Sequence, residues 1–202
     1  MSTLTPDDDQ VRAFATPAAL ARWMRANHAR QPELWLRIYK THSGIASVTL
    51  GEALDIALCW GWIDGLRRGY DEQSYLQRYT PRRPKGRWSQ VNRDHVARLT
   101  AAGRMTPHGQ AAIDAAHADG RWAAAYAPMR SASVDSIPAD LRAAIAANPR
   151  ALASLATLSK QNLFALAFRT NTMKTAAGRA RKITTLVEML ARGDTIIAQR
   201  QP

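Results

Sequence analysis

The sequence predicts an α+β fold, in which a small antiparallel sheet with flanking helices is followed by a helical C-terminal half. Three observations support this prediction. Residues 33–40, 62–68 and 74–80 alternate between apolar and polar side chains, as half-buried strands do. Helix-capping residues followed by apolar residues at helical spacing recur along the chain. From Ser89 onward only helical patterns remain, so strands and helices are segregated.

The first half begins with an arm that carries no clear pattern. Thr16-Pro17 then supplies an N-cap and a first helical residue, and Thr49 is a candidate cap for the next helix, which Gly61 breaks. Two prolines, Pro81 and Pro84, close the last strand and stiffen a basic loop over 81–87. The predicted elements are a loose arm at 1–15, a helix at 16–29, a strand at 33–40, a helix at 52–60 and strands at 62–68 and 74–80.

The second half is predicted to contain helices alone. They cover 89–102 and 106–117, begin again near 137, 148 and 159, and end with 174–192. Between them, residues 120–136 form a linker for which Trp122 and Tyr126 are candidate anchors. We therefore expect two regions, an α+β domain at 16–122 and a helical region at 123–202 packed on it.

Composition excludes several classes of protein. The chain has 202 residues, of which 46% are hydrophobic, so it can bury a core. Its single cysteine, Cys59, cannot form an intramolecular disulfide and is expected to be a small buried hydrophobe. The histidines lack zinc-binding spacing and no glycine-rich nucleotide loop occurs, so neither a metal nor a cofactor is predicted. With no signal-peptide pattern and no apolar run of about 20 residues, the expected location is cytoplasmic.

Basic and aromatic residues concentrate in one segment. The net charge is +12, and residues 67–104 hold ten Lys or Arg against three Asp or Glu. Residues 60–92 hold three of the six tryptophans and three of the five tyrosines. Aromatic rings offer stacking faces and guanidinium groups offer forked anion contacts. The segment therefore predicts a face that binds nucleic acid, a phosphorylated metabolite or an acidic protein partner.

The candidate ligand-binding residues lie around the basic loop. Proline-stiffened arginines beside a helix start could bind an anion, and Trp88 is the best candidate for a ring that faces a ligand. The alternative is structural: Ser89 only caps the helix, the arginines are solvated, and Asp64 is paired with Arg67 or Arg68, which we favour for Asp64. The predicted set is Asp64, Arg82, Arg83, Arg87, Trp88, Ser89 and Asn92.

A set of short stretches along the chain has a familiar composition and spacing. They are Glu33–Leu36, Tyr39-Lys40, Ala57–Gly65, Tyr79–Arg83, Trp88-Ser89, Asn92, Gly103–Pro107, Gly109, Asp119–Trp122, Ile137–Leu141 and Arg179–Ile183. Together they resemble the bacteriocin-protection, YdeI/OmpD-associated family of bacterial proteins. Most lie between residues 33 and 122, and the C-terminal half fits more loosely. The family usually has Glu-Thr before the first arginine of its basic helix, where this chain has Ala177-Gly178.

The resemblance implies a small soluble bacterial protein associated with envelope stress or with resistance to bacteriocins. It implies no catalytic residues. Together with the basic face, it favours a non-enzymatic binder of an anionic ligand. Two alternatives stay open: a small enzyme with a pocket built from Asp64 and an arginine clamp, and an adaptor that docks a protein partner through its helical half.

Overall fold

The computed structural model describes residue 6 and residues 10–199. In the first part of the chain the elements are β1 (Val11–Ala13), α1 (Pro17–Asn27), β2 (Leu34–Tyr39), α2 (Leu50–Cys59), β3 (Trp62–Gly69), β4 (Ser74–Pro81), α3 (Gln90–Ala101) and α4 (Pro107–Ala118). In the second part they are α5 (Ala139–Ala146), α6 (Pro149–Leu155), α7 (Lys160–Asn171) and α8 (Ala176–Ala191). The predicted α+β class is confirmed.

The sheet has four strands in the order β1-β2-β4-β3 and is mixed. β1 runs parallel to β2, whereas β2 pairs with β4 and β4 with β3 in antiparallel fashion. The expectation of a loose arm is wrong for Val11–Ala13, which forms β1. Residues 1–5 and 7–9 of that arm lie outside the described residues. The parallel strand is what makes the sheet mixed rather than purely antiparallel.

Local capping chemistry sets where the helices begin. The side chains of Thr16, Ser89 and Thr106 each accept a hydrogen bond from the backbone N–H three residues further on. Thr49 forms a reciprocal capping box with Glu52, so α2 begins at Leu50, two residues before the predicted start. The capping residues that the sequence indicated are therefore confirmed.

The chain divides into two compact units, residues 1–125 and 126–202, and each has its own apolar core. In the first unit, α1 and α2 pack on the sheet around buried Leu34, Leu36 and Ile38. Trp35 and Trp62 are both buried, as expected for packing residues. A second cluster joins α2, α3 and α4. The core of the second unit includes Leu141, Ile145, Leu166, Leu186 and Leu190.

Candidate functional site

The basic loop between β4 and α3 begins with an arginine that is built into the fold. The Arg82 amide donates to the Gly61 carbonyl at 2.9 Å, and its Nη1 donates to the Arg87 carbonyl at 3.4 Å. The Arg82 guanidinium carbon lies 3.5 Å from the centroid of the Trp88 ring, which is only 2% exposed. Trp88 therefore faces Arg82 rather than open solvent.

A tight turn then fixes the middle of the loop. The Gly86 amide donates to the Arg83 carbonyl at 2.8 Å, and Arg121 Nη1 donates to the Gly86 carbonyl at 2.9 Å. Arg121 is itself oriented by an ion pair of 2.6 Å with Asp119. Held in this way, the loop exposes three cationic side chains, those of Arg83, Lys85 and Arg87.

Aromatic rings support the loop from inside the first unit. The Trp88 and Trp122 rings lie 4.8 Å apart between centroids, and His117 stacks on Trp122 at 4.8 Å. The Arg93 guanidinium lies over Trp122 at 5.3 Å. Trp88, the one ring predicted to face a ligand, therefore mainly contacts Trp122 and Arg82.

Ser89 and Asn92 come together at the start of α3, as predicted. The Ser89 hydroxyl accepts a hydrogen bond from the Asn92 backbone N–H at 3.1 Å, and Ser89 is buried. This contact is the helix cap that the structural alternative required. Whether either side chain also contacts a ligand stays a prediction.

Asp64 lies on β3. Arg67 Nε donates to Gln77 Oε1 at 3.1 Å, and the ion pair favoured for Asp64 with Arg67 or Arg68 stays a prediction. Crowding by surrounding atoms raises the pKa of the Asp64 carboxyl, although Arg82 and Arg67 act in the opposite direction. The residue as a whole is nevertheless exposed, and its contact with a ligand stays a prediction.

A second charged cluster, centred on Asp55, is not among the site residues predicted from the sequence. Asp55 is buried in α2 and accepts hydrogen bonds from His95 Nδ1 at 2.8 Å and from Arg98 Nη2 at 2.6 and 2.8 Å. Burial alone would raise the pKa of Asp55, but the hydrogen bonds from Arg98 and His95 outweigh it and lower the pKa. The available signal was a lone carboxylate in the apolar run Leu54-Asp55-Ile56-Ala57-Leu58.

The first arginine of the basic helix in the second unit is a structural clamp. Arg179 Nη2 donates to Asp140 at 2.9 Å, and its Nη1 donates to the Thr170 carbonyl at 3.0 Å, so it joins α5, α7 and α8. The Gly178 amide donates to the Thr175 side chain that caps α8. Arg181 is exposed on the same helix.

Among the described residues, three or more His, Cys, Asp or Glu side chains are nowhere grouped so as to hold a metal ion. The described helices are also too short or too polar to cross a membrane.

The fold and this site define a small α+β unit with a basic loop, joined to a helical unit. A family model described as a domain of unknown function (DUF8412) matches residues 12–112, half of the chain, so the chain belongs to that family. The model of the bacteriocin-protection, YdeI or OmpD-associated family matches residues 136–193. No curated protein and no solved structure matches the chain.

The resemblance to the YdeI/OmpD-associated family is thus confirmed, and the matched stretch is helical. Most of the stretches that suggested this family lie instead within residues 12–112, which match the domain of unknown function. The looser C-terminal resemblance, which includes Arg179–Ile183, falls inside the confirmed match. The predicted domain limits at 16–122 and 123–202 stay a prediction.

Proposed function

We propose that the chain is a non-enzymatic binder of phosphate-bearing polyanions, with nucleic acid as the first ligand to test. The observation that carries this proposal is the exposure of Arg83, Lys85 and Arg87 on a loop fixed by hydrogen bonds. A loop that is already ordered loses less conformational entropy when it binds. The net charge of +12 favours a polyanion as the ligand, because each phosphate that the protein neutralises releases counterions and so strengthens binding.

This activity would serve bacteriocin protection, which the name of the family matched by residues 136–193 suggests, or a stress response, which the sequence resemblance implies. The cytoplasm is the location we propose for it, since nucleic acid and polyphosphate are both present there. Asp64 and Asn92 would lie at the margin of the bound polymer, and Arg82 with Trp88 would keep the loop in shape.

The test is a binding titration of a fluorescently labelled single-stranded oligonucleotide, repeated with polyphosphate as competitor. Replacing Arg83 and Lys85 together by alanine should weaken binding several-fold. The slope of log affinity against log salt should become shallower by about one or two contacts. Neither side chain takes part in the hydrogen bonds that hold the loop, so the melting temperature should stay nearly unchanged.

The matched control replaces two exposed arginines of α1, Arg22 and Arg25, which removes the same charge from another face of the first unit. This control should change binding much less than the loop variant. If both variants weaken binding equally, the overall positive field and not the loop is responsible. If neither variant matters, polyanion binding through this face is ruled out and the adaptor alternative is favoured.

A further inference from the structure

A β-bulge in β3 places two oppositely charged side chains on one face of the sheet. Asp64 pairs with Tyr79 and Arg67 with Gln77, so residues 65 and 66 together oppose one residue of β4. Tyr79 and Gln77 are two apart and share a face, and Asp64 and Arg67 therefore share it too. In a regular strand, residues three apart would face opposite sides. Bulges often re-aim side chains in this way beside functional sites.

A buried glutamine holds this arrangement. Gln77 is 1% exposed, and its Nε2 donates to the Gly65 carbonyl inside the bulge at 3.0 Å. Its Oε1 accepts from Arg67 Nε at 3.1 Å, and the Arg67 guanidinium also lies 5.4 Å from the Tyr75 ring centroid. Gln77 thus fixes both the bulge and the direction of the guanidinium, which is the role of a positioning residue.

The neighbouring tyrosine has a buried hydroxyl without a partner. Tyr79 is 1% exposed, and its hydroxyl makes no hydrogen bond within the part of the chain that the structure describes. Burial, and then the charge of Asp64, raise the pKa of Tyr79, while Arg67 opposes them, so the hydroxyl keeps its proton and can donate it. Buried hydroxyls are normally satisfied, so this one calls for an acceptor.

We propose that Asp64, Arg67 and Tyr79 form a binding site for a small oxyanion, either a carboxylate or an inorganic phosphate or sulfate. The guanidinium and the phenol would donate hydrogen bonds to the anion. Asp64 in its protonated form would supply a third donor. Arg83 and Lys85 take no part in this site, which shares only Asp64 with the margin of the proposed polymer-binding face.

Binding at this site is coupled to a proton. An ionised Asp64 repels an anion, so the carboxyl must take up a proton when the anion binds. Burial already raises the pKa of Asp64, and affinity should fall as the pH rises through that pKa. Four charged or titratable groups act on Asp64: Arg67 of β3, Tyr79 of β4, Arg82 after β4 and His95 of α3. His95 is itself hydrogen-bonded to Asp55 of α2.

The experiment is an NMR titration with sulfate, whose charge is constant between about pH 5 and about pH 8. In the parent protein, sulfate should shift the amide signals of residues 64–67 and 79, with an affinity that falls at the higher pH. Asp64→Asn should remove this pH dependence and bind more tightly at about pH 8. Tyr79→Phe keeps the ring and should bind about ten-fold more weakly, because one hydrogen bond to a charged ligand is lost.

Acetate and inorganic phosphate, titrated in parallel, show which oxyanion the site prefers. The Arg83→Ala/Lys85→Ala variant is the control and should bind sulfate at residues 64–67 as the parent does, even if it has lost the oligonucleotide. The proposal is overturned if Tyr79→Phe binds sulfate as well as the parent. It is also overturned if sulfate shifts only the signals of residues 83–87.

Discussion

At the scale of single residues, the most constrained charge in the first unit is Asp55. It is buried, and His95 and Arg98 both donate to it. Asp55→Asn should lower the free energy of unfolding by about 1–3 kcal/mol at neutral pH, because the charged donors lose their acceptor. Chemical denaturation measures this loss. The exposed pair of Arg142 with Asp135 is the control, since Asp135→Asn should change the free energy little.

The same residue predicts how stability depends on pH. Its pKa in the folded protein lies below the ordinary value of 3.8, so the stabilisation is fully present above that value. It is lost as the pH falls through the lower, folded-state pKa. Asp55→Asn should therefore have a flatter decline of stability in acid than the parent. Identical acid-denaturation curves would contradict this assignment.

Cys59 is predicted to be chemically inert in the folded protein. Burial is the main cause that raises the pKa of its thiol, so little thiolate is present at neutral pH. Alkylation by iodoacetamide should therefore be slow until denaturant is added, as followed by mass spectrometry. Cys59→Ala should cost about 1–2 kcal/mol of stability by leaving a small cavity. Rapid labelling of the folded protein would contradict the buried, protonated thiol.

At the scale of elements, sequence patterns predicted what is decided locally. Capping residues such as Thr49 and Ser89 set the helix starts, and alternation showed three of the four strands. β1 has only three residues and depends on pairing with β2, so its own sequence shows no period. The β3 bulge likewise depends on register with β4. Such features follow from contacts between distant segments, which one local pattern does not encode.

The candidate site shows the same division. The prolines and the clustered charges predict the basic loop, but the neighbours of Trp88 in sequence, Arg87 and Ser89, wrongly suggest a ring that faces outward. Its burial comes from Arg82 and Trp122, which meet it in three dimensions. The Asp55 cluster joins residues about 40 positions apart along the chain, so no short motif could have shown it.

The close approach of α4 to the end of α2 gives a test of packing between elements. A Cβ added at Gly109 would lie 2.4 Å from the Cys59 carbonyl oxygen, so Gly109→Ala must push the helices apart. We expect it to destabilise the fold by about 1–3 kcal/mol. Gly51→Ala in the first turn of α2 is the control, because nothing lies within 4 Å and alanine should stabilise by about 0.5–1 kcal/mol. Urea unfolding compares the two, and equal effects would contradict this packing.

At the scale of the whole molecule, the chain combines two units that match different family models. Residues 12–112, which match the domain of unknown function, hold the sheet, the basic loop and both proposed anion sites. Residues 136–193, which match the YdeI or OmpD-associated family, are helical and are held together by the Arg179 clamp and their own apolar core. The ligand proposals thus concern one unit, and an adaptor role would be sought in the other.

Separate cores predict that the two units respond separately to core mutations. Leu36 in the first unit and Leu166 in the second are both 0% exposed, so each leucine-to-alanine change should cost about 2–5 kcal/mol. Each mutation destabilises the unit whose core it alters. Leu36→Ala should therefore speed hydrogen exchange mainly in residues 10–125, and Leu166→Ala mainly in residues 126–199. Mass spectrometry of peptides after exchange measures the two units independently. If either mutation speeds exchange equally throughout the chain, the units unfold as one cooperative structure.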